Sequence, residues 1–195
     1  MKGSVRIPNY IITSAHLNGA ELKIYAVLRA LCFVKGGRAI KISQLAIGEH
    51  TGLSVVTVRK ALKALVEKEL IYQYTTFSSE QRSSNRYYVK GSSDLKIRYI
   101  ILDLGYVKSF APDKLTVYAH LLYHSDSDGK SYVSERKLSA ECGISRLTLR
   151  KYTAELAADK IIEKNLRYYE TSKQNKVYES FEYIIKKTKN EIHTP

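Results

Sequence analysis

Hydrophobic and polar residues near the start of the chain follow a helical period and then the period of a strand. Apolar residues recur three or four positions apart at Leu22, Tyr25, Leu28 and Cys32. Asn18 precedes this run, and Glu21 three residues later completes a capping-box pattern. We therefore predict an amphipathic helix that begins after Asn18 and ends before Gly36-Gly37.

A short strand and two more helices are predicted next. The stretch Ala39-Ile40-Lys41-Ile42 alternates as a half-buried strand does. Ser43 can cap a second helix, which we expect to carry Leu45 and Ala46 into the core. After the turn residue Gly52, Ser54 can cap a third helix. The apolar stripe of this third helix consists of Leu53, Val58, Leu62 and Leu65.

The third helix is followed by a pattern typical of a two-stranded ribbon. Residues 71–77 are rich in β-forming side chains, and residues 86–89 read as the returning strand. The polar stretch 78–84 between them is the predicted tip. The predicted order is therefore helix, short strand, helix, helix and ribbon.

The second half of the chain repeats this order. The offset between matching segments ranges from 89 (Tyr10 to Tyr99) to 93 (Leu22 to Leu115). Its first helix is predicted to begin at Pro112, its short strand at residues 131–133, and its ribbon at residues 161–170 and 176–182. A chain of 195 residues has room for two small domains, and the polar stretch 90–94 suits a boundary. We therefore predict domains 1–93 and 94–195.

The strongest part of the repeat is a shared pattern of Gly, an aliphatic residue, Ser, two variable residues, Thr, an aliphatic residue, Arg and Lys. It occurs at residues 52–60 and again at residues 143–151. Each segment resembles the turn and second helix of a helix-turn-helix. Both halves resemble the winged-helix domains of plasmid replication initiators, phage replisome organisers and GntR-type regulators. The resemblance implies an α+β fold that is mainly α with small β wings, arranged as two tandem winged helix-turn-helix domains.

The third helix of each copy is where a DNA-binding site is expected. Polar residues opposite the apolar stripe can reach base edges in a major groove, and the planar fork of Arg59 or Arg150 matches O6 and N7 of guanine. The residues off the stripe are Thr57, Arg59, Lys60 and Lys63 in the first copy, and Arg146, Thr148, Arg150 and Lys151 in the second. Ser54 and Ser145 lie at helix N-termini, where phosphate can bind.

The resemblance to GntR-type regulators implies DNA contact for most of these positions. It covers Ser54, Thr57 and Arg59, and also Ser145, Arg146, Thr148 and Arg150. It fails at Val55, where that family has Arg, so we expect the first helix to read DNA partly through thymine methyl groups or to bind it less strongly. The wings add Arg82, Arg86, Lys173 and Lys176, which are expected to contact phosphate or the minor groove.

Net charge supports a polyanionic partner. The chain carries +13, as expected for nucleic-acid binding, although a basic surface that only confers solubility remains an alternative. Only two cysteines occur, so neither a disulfide framework nor a zinc site is expected. We find no membrane span and no secretory signal, which favours a cytoplasmic protein.

Catalytic and metal sites are weakly indicated. His124 and the acidic turn that follows resemble a calcium loop, but His replaces the first Asp. We interpret the stretch as a turn, and we interpret His120 and His124 as a surface pair because no third ligand is evident. No phosphate loop, catalytic triad or carboxylate dyad occurs, so we expect neither a cofactor nor enzymatic activity.

The leading hypothesis is a sequence-specific protein that binds double-stranded DNA at an operator-like or origin-like site. The sequence leaves open whether it regulates transcription or initiates replication of a plasmid, phage or other mobile element. Self-association and partners from replication or conjugation complexes also stay open. One alternative is a protein-interaction scaffold that binds DNA with little sequence preference. Another is single-strand binding through the wing tyrosines, which the sequence favours less because it shows no open stacking platform.

Overall fold

The computed structural model describes residues 3–37, 39–75, 85–90, 98–171 and 176–186. Helices and small antiparallel sheets make up an α+β fold. Two compact units divide the chain, Met1–Leu115 and Thr116–Pro195.

The same order of elements occurs twice among the described residues. The first series is β1 (Ser4–Pro8), α1 (Asn9–Thr13), α2 (Gly19–Val34), β2 (Ala39–Lys41), α3 (Gln44–Thr51), α4 (Val55–Glu67), β3 (Ile71–Thr75) and β4 (Asn85–Val89). The second is β5 (Tyr99–Asp103), α5 (Leu104–Ser109), α6 (Pro112–Tyr123), β6 (Lys130–Ser131), α7 (Glu135–Cys142), α8 (Arg146–Ala158), β7 (Ile162–Thr171) and β8 (Lys176–Ile185). The repeat predicted from sequence is therefore confirmed at the level of element order.

The predicted first helix is α2. Asn18 caps it, and the capping box is complete because the side chain of Glu21 accepts from the backbone N–H of Asn18 while Asn18 accepts from that of Glu21. Leu22, Tyr25 and Leu28 are fully buried. Residues 21–28 are all buried, however, so this part of α2 is enclosed on every side and the predicted amphipathic character is wrong there.

Lys23 of α2 is also buried, although it is a lysine. Its ammonium donates to the backbone carbonyl of Thr51 at 2.7 Å and to that of Lys108 at 3.3 Å. These carbonyls lie in the last turns of α3 and α5, where a cation is favourable. Burial lowers the pKa of Lys23 to about 8. Lys23 thus joins three helices of the first unit through a charge that burial destabilises.

The turn between α3 and α4 is Gly52-Leu53-Ser54. Gly52 ends α3 in the left-handed conformation with a φ of 69°, and a Cβ at this position would lie 2.8 Å from the carbonyl oxygen of Lys108. Glycine is therefore required at Gly52 for two reasons, its backbone conformation and its close neighbour. Gly143 occupies the same place between α7 and α8 with a φ of 65°, but nothing lies within 4 Å of its would-be Cβ.

The described residues form three antiparallel sheets. Strand β4 lies between β2 and β3, and β8 lies between β6 and β7, as the predicted ribbons require. The described strands agree with the predicted ones to within a few residues. The first predicted tip, residues 78–84, lies outside the described residues. So does the second predicted tip, residues 171–175, except for Thr171, which ends β7.

The third sheet was not predicted. β1 and β5 pair antiparallel, with Val5 opposite Leu102 and Ile7 opposite Ile100, and all four side chains are buried. Sequence alignment had matched Tyr10-Ile11-Ile12 with Tyr99-Ile100-Ile101, but the first lies in a helix and the second in a strand. The strand–helix pairs β1–α1 and β5–α5 are the elements that correspond.

The position of β5 also bears on the domain organisation. The predicted boundary between residues 93 and 94 lies outside the described residues. Strand β5 and helix α5 follow that boundary in the chain but belong to the first compact unit, since β5 pairs with β1. The units divide instead after Leu115, inside α6.

One core prediction on α3 is wrong. Leu45 is 62% exposed, and Ala46 is only half-buried. Because α3 begins at Gln44 under the Ser43 cap, its inward face carries Ile47, Gly48 and Thr51 instead.

Candidate nucleic-acid interface

Helix α4 presents two distinct faces. Val58, Leu62 and Leu65 are buried, and this stripe holds the helix against its own unit. Arg59, Lys60 and Lys63 are exposed. Lys63 forms an exposed ion pair with Glu67 at 3.7 Å, whereas Arg59 and Lys60 form no ion pair with the described residues.

Helix α8 repeats this arrangement. Leu149, Thr153 and Leu156 are buried, while Arg146, Arg150 and Lys151 are exposed. Each unit therefore contains an anchored helix whose outward face is basic, and the residues concerned are those predicted from sequence.

The Ser-x-x-Thr pattern serves first as a helix cap. Ser54 Oγ accepts from the Thr57 backbone N–H at 3.2 Å, and the two hydroxyls lie 2.9 Å apart. Ser145 and Thr148 do the same at 3.0 and 2.8 Å. One hydroxyl of each pair donates to the other, so one O–H per pair is left for an outside acceptor. The pattern thus has a structural role, and a phosphate contact can add to it.

The two arginines proposed to read guanine have different surroundings. Arg150 Nε donates to Glu135 Oε2 at 2.8 Å, and Lys164 Nζ donates to Glu135 Oε1 at 3.0 Å. The Lys164 ammonium also lies 3.9 Å from the ring centroid of Phe181. A carboxylate at the start of α7 therefore holds Arg150, which had been predicted as a base-reading residue.

The ionisation of Glu135 reflects these partners. Burial alone would raise its pKa, but hydrogen bonds and attraction from Arg150 and Lys164 outweigh burial, and the pKa lies below its usual value. Glu135 is therefore ionised at neutral pH, and any outside acceptor must compete with it for Arg150.

In the first unit the position equivalent to Glu135 has no carboxylate, and Glu67, which lines the same groove as Arg59, pairs with Lys63. Gln44 begins α3 as Glu135 begins α7, and Gln73 stands third in β3 as Lys164 stands third in β7. Arg59, Gln44 and Gln73 line one open groove together with residues of α4. Arg59 is thus available for an outside acceptor, and the neighbouring amides can add hydrogen bonds.

Exposed apolar residues at the start of each helix were missed by sequence reasoning. Val55, which had been singled out, is half-buried, but Val56 beside it is 62% exposed. Leu147, at the same place in α8, is 80% exposed. The sequence did offer a signal, since each of these two residues stands two positions after the capping serine of its helix. Exposed aliphatic groups here suit contact with thymine methyl groups.

The predicted wing residues can be placed only in part. Arg86 is exposed on β4, opposite Lys41 of β2 and Tyr74 of β3. Arg82 and Lys173 lie outside the described residues. Lys176 begins β8, opposite Thr171, and its side chain lies outside the described set.

The histidines do not form the surface pair that was expected. His120 is buried and its Nδ1 lies 2.9 Å from the Thr116 carbonyl oxygen, whereas His124 Nε2 contacts Glu141. Burial lowers the pKa of His120. Asp126 accepts from the backbone of Asp128 and Lys130, which is a turn, as interpreted from sequence.

Metal and membrane features were sought in the described part of the chain. No group of three or more His, Cys, Asp or Glu side chains there could hold a metal ion. No helix among those residues has the length and apolar character needed to cross a membrane. No protein-family model and no curated protein matches this chain.

Proposed function

We propose that the chain is a sequence-specific double-stranded DNA-binding protein built from two winged helix-turn-helix domains. Helices α4 and α8 each enter a major groove, and the β3–β4 and β7–β8 ribbons act as wings on the flanking backbone. Its role is control of transcription or initiation of replication at an operator-like or origin-like site. The function is binding rather than catalysis.

The observation that supports this proposal is the duplicated, anchored basic helix. Each copy has a glycine-ended turn, a Ser-Thr cap, a buried stripe and an exposed basic face. A single basic helix face could serve only to keep the protein in solution. Two such faces, on helices of the same length and at the same place in the element order, point to a shared ligand. A net charge of +13 makes that ligand a polyanion.

The side chains divide by contact type. Arg59 pairs with guanine through its two parallel donors, and Val56 and Leu147 contact thymine methyl groups. Lys60 and Lys151 contact phosphate, which positions the helices without reading sequence. Because the two helices present different side chains, the two half-sites differ and lie about 34 Å or a multiple apart.

Selection of bound duplexes from a random pool, followed by sequencing, tests the proposal. We expect an imperfect repeat. In fluorescence anisotropy on the selected duplex and a scrambled one, Arg59→Ala should reduce discrimination by roughly 5- to 150-fold. Lys60→Ala should weaken both duplexes alike and lower the salt slope by about one.

Lys35→Ala is the matched control, since Lys35 is an exposed lysine at the end of α2 and is not on either helix proposed to bind DNA. Equal binding of selected and scrambled duplexes, with no loss of discrimination in Arg59→Ala, would instead support a protein-interaction scaffold that holds DNA by charge.

A further inference from the structure

The β2–β4–β3 sheet of the first unit has an outer face of which the proposed function uses only Arg86. Directly opposite residues of an antiparallel sheet share a face, and so do residues two apart along a strand. Register therefore puts six residues on one face, which we call the tyrosine face: Ala39, Lys41, Tyr72, Tyr74, Arg86 and Tyr88. The inward face carries Ile40, Ile71 and Tyr87, all buried.

The tyrosine face is open and aromatic. Tyr74 is 59% exposed and Tyr72 is 40% exposed, which is high for rings of this size in a three-stranded sheet. The rings of Tyr72 and Tyr88 lie 6.2 Å apart and tilted. Tyr72 and Tyr74 are two residues apart on β3, so their side chains are spaced by about 6.6 Å along the strand. That spacing accommodates successive bases of an extended strand.

Positive charge borders the rings. Arg86 lies opposite Tyr74 on one side and opposite Lys41 on the other, and both cations are exposed. Two adjacent cations on neighbouring strands repel each other unless an anion lies between or over them. Rings for bases and cations for phosphates are the two components of a single-strand binding surface.

At four of these positions the second unit carries other residues, and an aromatic–cation contact of that unit lies elsewhere, where Arg167 stands 5.2 Å from the ring centroid of Tyr132. Its outer face carries Glu163, Asn165, Glu182 and Ile184 where the first unit has Tyr72, Tyr74, Arg86 and Tyr88. Glu163 pairs with Lys186 at 3.0 Å. The sheets have the same strand order, so the fold alone does not require tyrosines or cations on this face.

We propose that the tyrosine face binds an unpaired DNA strand, with bases stacked on Tyr72 and Tyr74 and phosphates held by Lys41 and Arg86. The choice of DNA over RNA rests on the proposed function, because a protein that grips a duplex through α4 is placed to hold a strand released from it. The rings and cations of the tyrosine face are present whether or not that function is correct.

The test is anisotropy of the full chain with fluorescein-labelled oligo-dT, and in parallel with the selected duplex. The double variant Tyr72→Ala/Tyr74→Ala should bind oligo-dT at least about 10-fold more weakly. Tyr72→Phe/Tyr74→Phe retains both rings and should bind oligo-dT like the wild type. Circular dichroism and thermal unfolding verify folding. Tyr74→Ala alone, at the more exposed position, is the substitute if the double variant does not fold.

Tyr132→Ala is the matched control, since Tyr132 is 51% exposed but lies in the second unit. Failure of the wild type to bind oligo-dT would overturn the proposal, as would an equal loss in Tyr132→Ala. Tighter binding of oligo-rU than of oligo-dT would overturn the assignment to DNA. Loss of duplex specificity with oligo-dT binding intact would refute the proposed function and leave the tyrosine face in place.

Discussion

Replacing Glu135 with Gln should make α8 a stronger DNA-binding helix and its unit less stable. The change keeps the size of the side chain and one acceptor oxygen, but it removes the charge that holds Arg150 and Lys164. It also reproduces the first unit, where Gln44 stands at the equivalent position.

The stability cost comes from Lys164. Its side chain is 18% exposed and that of Glu135 is 10% exposed, so this contact is largely shielded from water. A hydrogen bond to a charged group of this kind contributes about 1.5–3 kcal/mol, and the amide of Gln retains part of it. We therefore expect the free energy of unfolding to fall by about 1–2 kcal/mol. Arg150 lies in solvent and adds nothing to this figure.

Urea denaturation at neutral pH measures the loss. The folded-state pKa of Glu135 is below its unfolded value, so its contribution is present above about pH 4.5 and is lost as pH falls through the folded pKa. The stability gap between wild type and Glu135→Gln should close over that range. A gap that is absent at neutral pH, or that persists unchanged at low pH, would refute this account of Glu135.

The same variant should bind DNA more tightly, since a neutral amide holds Arg150 less strongly than the carboxylate does. The matched reciprocal change is Gln44→Glu, which places a carboxylate in the groove that Arg59 lines. It should weaken duplex binding. Equal affinities for wild type and both variants would mean that neither arginine contacts DNA.

Four further substitutions test the first unit and its counterpart. An alanine in the left-handed conformation lowers the free energy of unfolding by roughly 1–2 kcal/mol, and we expect about that loss for Gly143→Ala. Gly52→Ala should lower it further, because its Cβ would meet the Lys108 carbonyl. Thermal unfolding compares the two variants. Ser54→Ala should lower unfolding free energy by about 1 kcal/mol, measured in urea. The pKa of buried Lys23 is about 8 instead of 10.5, so the unfolded chain binds more protons between these values and stability rises with pH, by at most about 3 kcal/mol. Lys23→Met should abolish this rise in urea titrations across that range, and a rise of unchanged size in the variant would assign it to other groups.

Local patterns account for the parts of the fold that could be predicted. Asn18 with Glu21, and Gly52 followed by Ser54, each act within a few residues, and both formed the expected caps. Leu45 misled because an apolar residue one position into a helix can face solvent when Ile47 and Thr51 define the inward face. The pairing of β1 with β5 joins opposite halves of the chain, so no local period could indicate it.

In the candidate site, too, local patterns predicted some features and contacts between distant residues determined the others. Exposure of Arg59, Arg146 and Arg150 followed from helical periodicity, which reports the face of a helix but not its neighbours. The contact between Glu135 and Arg150 links two helices, and the tyrosine face depends on strand register. Both required the packed structure, because each brings together residues that are far apart in sequence.

These contacts reverse an expectation about the two helices. Arg146 has no basic counterpart at Val55, which from sequence favoured α8 as the main reader of bases. In the structure, Glu135 engages Arg150, while Arg59 forms no ion pair with the described residues. Under the proposed function, DNA must break a charge-assisted hydrogen bond to recruit Arg150, and it meets no such cost at Arg59. Arg59 should therefore contribute more to discrimination than Arg150, and Arg146 should supply what α8 reads. Comparison of Arg59→Ala with Arg150→Ala on the selected duplex decides the order, and a larger loss from Arg150→Ala would show that Glu135 orients that arginine for DNA instead of withholding it.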